Sequence, residues 1–324
     1  MSKTILGLHH VTAITSSAPK ICDFFMNKLG MHFIKRSANQ DNILTYHLYF
    51  TDDMGEPGAI MTFFVNPDEK SRQIGNNEIS RLTFRVPSDA ALSYWQKRFD
   101  RLQVRYEPQI HTQFGAKYLN FYDFDGQQYA LVSEATNRQT NVMTQPHRPW
   151  RYADVDEAHA IIGLGPVTIT LHEPKAIDQV LTQILKAEKV TSTADQKYHL
   201  YEFAHGGLGA QIIIHSCGDN IDGVQGYGGV HHIAFTVQDD QALAQWQDCF
   251  HHHALPHSDV IDRYYFKSQY FRPVPRILFE LATTQPGFFI DETYEEADKK
   301  LALPPFLEPE RHNIEAHLAP FDTK

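Results

Sequence analysis

The stretch GLHHVTAITSSAPKICDFFMNKLG (residues 7–30) joins a short apolar strand to an amphipathic helix through a polar turn. Apolar side chains recur at helical spacing in its second half, at Ile21, Phe24, Phe25 and Leu29. The same order of features returns three times, in ISRLTFRVPSDAALSYWQKRFD (79–100), GLGPVTITLHEPKAIDQVLTQIL (163–185) and GGVHHIAFTVQDDQALAQWQDCF (228–250). The chain is therefore predicted to contain four repeats, each with one helix and several strands.

A longer duplication groups these repeats in pairs. The tetrapeptide YHLY occurs at 46–49 and again at 198–201. The octapeptide GLHHVTAI (7–14) aligns in the same way with GLGPVTIT (163–170). The first half of the chain thus resembles the second, which is the pattern expected of a duplicated gene segment.

The duplication predicts two modules and a tail. The first module covers 1–136, a polar linker with two prolines covers 137–157, and the second module covers 158–288. The remaining residues, 289–324, fit no fifth repeat. Their charged stretch DETYEEADKKLALPPFLEP (291–309) predicts a helix followed by a proline-broken arm, and this tail is expected to pack over the domain.

Composition excludes several function classes. The 324 residues carry a formal net charge of −10 without a cluster of Lys or Arg, so nucleic acid is not an expected partner. No run approaches the roughly 20 apolar residues that cross a bilayer, so a membrane is not expected either. Three scattered cysteines, Cys22, Cys217 and Cys249, fit a reducing compartment, and the cytoplasm is the predicted location.

Paired histidines occupy the same place in the first strand of two repeats, LHHVTAI (8–14) and VHHIAFT (230–236). Alternate side chains of a strand face the same side of the sheet. His10 and His232 are therefore expected to face one side, whereas His9 and His231 are expected to point away. Because neutral imidazole is the commonest transition-metal ligand, one histidine of each pair is a candidate ligand.

An isolated carboxylate completes the candidate site. Glu280 lies within the otherwise apolar strand RILFELAT (276–283), where burial without a partner is costly. The positions in the other repeats that correspond to His10, His232 and Glu280 hold Pro166, Arg81 and Ala130. A single metal site built from the first and fourth repeats is the economical interpretation. Two imidazoles and one carboxylate suit non-haem Fe(II) and the activation of O₂, although Mn(II) accepts the same ligands.

The alternatives for single histidines are structural. A strand histidine taken alone is more often a hydrogen-bonded core residue than a ligand. His47 and His199 both lie in a YHLY strand, so their duplication favours structural hydrogen bonding, with His47 also a candidate to line the site.

Several motifs together resemble the vicinal oxygen chelate superfamily, and more narrowly its hydroquinone-cleaving dioxygenases. They are spread over nearly the whole chain: GLHHVTAI, TYHLYF, DMGEPGAIMTFF, EAHAIIGLGPVT, GVHHIAFTV, VIDRYYFKSQYFR, ILFELATTQPGF and LPPFLEP. The resemblance implies an α+β fold in which four βαβββ units, arranged as two tandem modules, form curled mixed sheets around open cups. It also implies one Fe(II) held by His10, His232 and Glu280, with a small aromatic substrate and O₂ as partners. A homo-oligomer is compatible with the sequence.

The resemblance further implies roles around the metal. Within VIDRYYFKSQYFR (260–272) it places Arg263 and Tyr270 as residues that bind an aromatic hydroxyl and transfer protons. His9 and His231 are additional candidates for acid and base steps. The chain departs from its relatives at RPVPR (272–276), where they commonly show REPGG, and the two prolines predict a stiffer turn.

Two other functions fit a fold of this kind. A metal-dependent isomerase or thiol transferase of the same superfamily commonly uses a fourth protein ligand, a glutamate from the repeat that contains the first histidine. The corresponding strand, AIMTFFVN (59–66), has no acidic residue, which disfavours that activity. A non-enzymatic protein that sequesters an aromatic drug or quinone would bind its ligand without a metal.

Overall fold

The computed structural model describes residues 3–137, 144–204, 206–218 and 221–322. It has the predicted α+β architecture, with two large mixed sheets and few helices. Among the described residues, none of the helices combines the length and apolar character needed to cross a membrane.

Each of the four predicted repeats forms a strand, a helix and further strands. The first contains β1 (Gly7–Thr15), α1 (Ala18–Cys22), which continues as a wider helical turn over Asp23–Lys28, β2 (His32–Asn39), β3 (Asn42–Thr51) and β4 (Ile60–Val65). The second contains β5 (Glu78–Val86), α2 (Asp89–Leu102), β6 (Arg105–Tyr106), β7 (His111–Gln113), β8 (Ala116–Tyr122) and β9 (Gln128–Ser133). The third contains β10 (Val167–Leu171), α3 (Lys175–Gln179), which continues over Val180–Ile184, β11 (Glu188–Ser192), β12 (Tyr198–Glu202) and β13 (Gln211–Ser216). The fourth contains β14 (Gly229–Val237), α4 (Asp240–His252), β15 (Ile261–Asp262), β16 (Lys267–Val274) and β17 (Ile277–Thr283), and the tail adds β18 (Leu301–Ala302) and α5 (Arg311–His317).

The two sheets pair repeats from opposite halves of the chain. The first sheet has the order β15-β16-β17-β14-β1-β4-β3-β2-β18, so it joins the first and fourth repeats. The second has the order β11-β12-β13-β10-β5-β9-β8-β6, with β7 on β8, and joins the second and third. The contacts at the centre of the sheets are the antiparallel pairs β1–β14 and β5–β10. The division into two modules, with boundaries at 136 and 158, stays a prediction, because both modules contribute strands to each sheet.

An aromatic cluster around α1 connects the two sheets. The Phe25 ring is fully buried, with its centroid 5.0 Å from those of Phe50 and Phe63 in the first sheet. The same ring lies 6.0 Å from Phe84 and Tyr129 in the second sheet. The helical spacing noted in the sequence thus places Phe25 in the core that both sheets share.

We expect Phe25→Ala to lower the free energy of unfolding by about 3–5 kcal/mol, because it leaves a large cavity between the two sheets. Equilibrium urea unfolding measures the change. Ile74→Ala is the control, since that side chain is 74% exposed and should alter stability by about 0.5 kcal/mol at most. Equal effects of the two substitutions would show that the cluster does not join the sheets.

The prediction of a helix within 291–309 is wrong. That stretch forms turns and the short strand β18, and α5 follows the prolines instead of preceding them. Tertiary contacts override the helical tendency of the charged residues. Buried Lys35 binds the carboxylates of Asp291 and Glu292 at 2.8 and 2.5 Å, and β18 pairs in parallel with β2.

Candidate metal centre

Three side chains converge at the middle of the first sheet, on the adjacent strands β1, β14 and β17. Nε2 of His10 lies 3.3 Å from Nε2 of His232. The Oε2 atom of Glu280 lies 3.3 Å from the first of these nitrogens and 2.9 Å from the second. All three residues are buried, with Glu280 fully excluded from solvent. The structure therefore brings together the three candidate ligands from the first and fourth repeats.

The bonding of Glu280 fits a bound cation. Its Oε1 accepts a hydrogen bond of 2.5 Å from the Ser268 hydroxyl. Its Oε2 is buried and accepts no hydrogen bond of good geometry, although it faces both imidazoles. Burial alone would raise the pKa of Glu280, but His10 and His232 hold that pKa well below its usual range. A buried carboxylate oxygen without a donor, set between two imidazole nitrogens, is a donor set that a divalent metal ion satisfies.

His9 and His231 do not point away from the site, as strand alternation predicted. The register of β1 with β14 shifts between Leu8 and His10, and again where His232 pairs with Thr12. Each shift is a β-bulge, in which two residues of one strand oppose one residue of the other. Consequently Nδ1 of His9 lies 2.9 Å from Nδ1 of His10, and the corresponding distance between His231 and His232 is 2.8 Å.

The bulge in β1 sets the tautomer of His10. Nε2 of His9 lies 3.1 Å from the Thr283 carbonyl oxygen, so it carries a hydrogen and donates it there. Burial lowers the pKa of His9 to about 3, so this ring is neutral and its Nδ1 is an acceptor. His10 must then donate from Nδ1, which leaves the lone pair of its Nε2 free to face the centre. This is the arrangement that metal-binding histidines require.

A chain of hydrogen bonds beside the centre was not predicted. Nε2 of His232 lies 2.9 Å from the Thr12 hydroxyl, which lies 2.8 Å from that of Thr62. Thr62 contacts Nε2 of His47 at 2.9 Å, and Nδ1 of His47 contacts the Tyr49 hydroxyl at 2.7 Å. The sequence predicted structural hydrogen bonding for His47 and named it as a candidate to line the site, and the structure shows both features. Thr62 also occupies β4, where an isomerase of the superfamily would carry its fourth ligand.

Arg263 and Tyr270 lie beside the centre and contact each other. Nε of Arg263 donates to the Tyr270 hydroxyl at 3.2 Å, and its two terminal nitrogens bind the Asp41 carboxylate at 2.9 Å each. The Tyr270 ring centroid is 5.8 Å from that of His232. Burial and the charge of Glu280 raise the pKa of Tyr270 above its usual value, despite Arg263, so the phenol is protonated at neutral pH. Asp41, in the turn between β2 and β3, carried no signal in the sequence.

The space in front of the centre is small. A cavity of about 30 Å³ is lined by residues that include His10, His47, His232, Phe266 and Tyr270. This volume holds a water molecule but not an aromatic ring. Binding a ring here requires surrounding side chains to move, and the exposed Asp41 carboxylate is one of the groups that close the cavity.

The departure at 272–276 covers the last three residues of β16 and the two-residue turn that leads to β17. The pairing of these strands is irregular between Phe271 and Val274, and Arg276 adopts a left-handed conformation with φ of 70°. The same pair of strands places Tyr270 directly opposite Glu280. The turn therefore lies at the end of the hairpin that carries two residues of the site.

The chain is similar to known proteins over most of its length. Residues 7–131 match the family described as the "Glyoxalase/Bleomycin resistance protein/Dioxygenase superfamily". A Bacillus subtilis protein named "Putative ring-cleaving dioxygenase MhqA" is 36% identical over 97% of this chain and 98% of its own length. "Chlorohydroquinone/hydroquinone 1,2-dioxygenase" of Sphingobium indicum is 29% identical over 95% of this chain and 94% of its own length.

Solved structures give the same result for the fold. The crystal structure of a "putative dioxygenase" from Bacillus subtilis has a TM-score of 0.90 at 33% identity, and the match covers 100% of this chain and 99% of that chain. Glyoxalase I from Zea mays has a TM-score of 0.59 at 10% identity, covering 87% of this chain and 93% of that chain, which shows a shared fold alone. The resemblance found in the sequence motifs is confirmed.

Proposed function

Because this chain belongs to the glyoxalase/bleomycin resistance protein/dioxygenase superfamily, we propose that it is a metal-dependent, extradiol-type dioxygenase that cleaves hydroquinone-type or catechol-type rings with O₂. The observation that carries the proposal is the convergence of His10, His232 and Glu280 around a carboxylate oxygen without a hydrogen-bond donor. The names of relatives that match over nearly their whole length support the same activity.

Fe(II) is the proposed metal, and Mn(II) is compatible with the same ligands. His10, His232 and Glu280 would hold this ion and would leave coordination positions for a substrate and for O₂. When bound, such an ion supplies Lewis acidity toward a phenolic oxygen and a path for electrons from an electron-rich ring to O₂. A non-enzymatic binding protein would not need two imidazole nitrogens and an ionised carboxylate to meet at one point.

The neighbouring residues orient the substrate and move protons. Arg263 holds the Tyr270 hydroxyl, and together they form the polar wall on which a second ring hydroxyl would bind. Tyr270, being protonated, is the proposed proton donor to the opening ring. His9 fixes the tautomer of His10, and His231 contacts His232 in the same manner, so these two act as positioning residues.

Oxygen uptake tests the proposal. Protein loaded with Fe(II) under reducing conditions should consume O₂ and hydroquinone in equal amounts, with a new ultraviolet absorption from the ring-opened product. Metal-free protein is the control and should show no uptake. Absence of uptake across a panel of hydroquinones and catechols, with Fe(II) demonstrably bound, would refute dioxygenase activity. Unchanged ligand recovered from metal-free protein would favour the binding-protein alternative.

The cytoplasm is the proposed location, supported by Cys22 and Cys249, which are buried thiols. A homo-oligomer stays a prediction.

A further inference from the structure

The second sheet forms a cup of its own, built from the second and third repeats. Its cavity measures about 580 Å³, which is within the range of small-molecule sites and far larger than the space at the metal centre. Its walls include apolar side chains and a few polar groups, among them Arg81, Gln113, Tyr118, Glu202 and Gln211. The function proposed above makes no use of this cavity.

The strand register relates this cup to the metal centre. Arg81 pairs with Thr168 across β5 and β10, as His232 pairs with Thr12 across β14 and β1. A bulge leaves Ser80 unpaired beside Arg81, just as one leaves His231 unpaired beside His232. Arg81 therefore holds the position that a metal ligand holds in the other cup.

The equivalent positions of the other two ligands carry no charge. Pro166 corresponds to His10, and Ala130, which pairs with Thr83 on β5, corresponds to Glu280. At the three positions where the first cup has candidate metal ligands, the second cup thus has one charged group, the guanidinium of Arg81. Within the described ranges, Arg81 forms no ion pair with a carboxylate, whereas the neighbouring Arg85 binds Glu134 at 2.8 Å.

The bonding around Arg81 is incomplete. One terminal nitrogen donates to the Gln113 side-chain oxygen at 3.1 Å, and the guanidinium stacks on the Tyr118 ring at 4.6 Å. Its Nε is buried without a hydrogen-bond partner. Buried polar atoms are normally paired, so this nitrogen indicates a missing acceptor at this place.

A second polar group lies across the cup. The Gln211 side chain donates to the Glu202 carboxylate at 2.5 Å, on neighbouring residues of β13 and β12. β12 is three strands away from β5, which corresponds to roughly 14 Å across the sheet. Apolar side chains line the space between Arg81 and Glu202. They include Leu200 on β12 and Ile213 on β13.

We propose that the second cup binds, without a metal, a small aromatic carboxylate that carries a hydroxyl group on the opposite side of its ring. The carboxylate pairs with Arg81 and Gln113, since a guanidinium forms charge-assisted, often bidentate, bonds with this group. The ring lies on Tyr118 and the apolar wall, and the hydroxyl donates to Glu202. Neither the metal nor turnover is required for this binding.

Calorimetric titration of metal-free full-length protein with 4-hydroxybenzoate tests the proposal. We expect saturable binding that Arg81→Gln weakens roughly 10- to 100-fold, because a charge-assisted pair is lost. The neutral analogue 4-(hydroxymethyl)phenol should bind the unaltered protein more weakly by a similar factor. His232→Gln, which alters the other cup, should leave the affinity for 4-hydroxybenzoate unchanged.

Two results would overturn the proposal. One is the absence of binding at millimolar 4-hydroxybenzoate, and the other is binding that His232→Gln abolishes while Arg81→Gln retains it. Should Arg81→Gln fail to fold, Gln113→Ala on the half-buried strand β7 and the neutral analogue decide the question, since both should weaken binding. Because the assay needs no metal and no reaction, its failure would leave the dioxygenase proposal intact. Failure of the oxygen-uptake test would likewise leave the proposed binding of an aromatic carboxylate intact.

Discussion

Glu280→Gln should abolish metal binding and reduce kcat/KM for ring cleavage by roughly 10³-fold or more, because metal catalysis supplies several kcal/mol of transition-state stabilisation. The substitution keeps the shape of the side chain. It removes the charge from the oxygen that faces His10 and His232 without a hydrogen-bond donor. Elemental analysis of iron after dialysis measures the first effect, and O₂ uptake with hydroquinone measures the second.

Glu134→Gln is the matched control. Glu134 is also a buried carboxylate, but it pairs with Arg85 in the second sheet. We expect that variant to lose about 3–5 kcal/mol of stability, as broken buried ion pairs do, while it retains iron and turnover. If Glu280→Gln instead keeps iron and turnover, or is destabilised equally with and without metal, then Glu280 serves only as a structural partner of the histidines.

Repetition in the sequence predicted much of the fold. Helical spacing correctly identified Phe25 as a core residue, and the four repeats each form their strand and helix. A single site built from the first and fourth repeats implied that these repeats meet. Which strands pair was not visible, because β1 and β14 are brought together by contacts over 200 residues apart. The tail shows the same limit, since Lys35 and β2 decide its conformation at a distance.

Internal comparison predicted which residues meet, but not how they are arranged. His10, His232 and Glu280 were selected because their counterparts in the other repeats cannot bind a metal. Alternation then misplaced His9 and His231, because a bulge depends on the register of two strands and not on the sequence of one. For the same reason the hydrogen bond that fixes the tautomer of His10 required coordinates.

Tyr270→Phe should lower kcat by roughly 10²- to 10⁴-fold, the usual contribution of a positioned proton donor, while iron content stays unchanged. The hydroxyl is held by Arg263 at 3.2 Å, and the raised pKa of Tyr270 keeps its proton available at neutral pH. Removing one oxygen leaves the ring against His232, so the site keeps its shape. Steady-state O₂ uptake on protein of measured iron content separates loss of catalysis from loss of metal.

Tyr122→Phe provides the comparison, because this tyrosine lies on a strand of the second sheet and its hydroxyl donates to Glu107 at 2.5 Å. It should retain full activity. Because the pKa of Tyr270 is raised above its usual value, ionisation of this phenol should not limit the rate of the unaltered protein at alkaline pH. If Tyr270 acts as the proton donor, its phenylalanine variant should also lose the solvent deuterium isotope effect on kcat. A variant that retains both kcat and that isotope effect would exclude Tyr270 as the donor and restrict its hydroxyl to holding Arg263 in place.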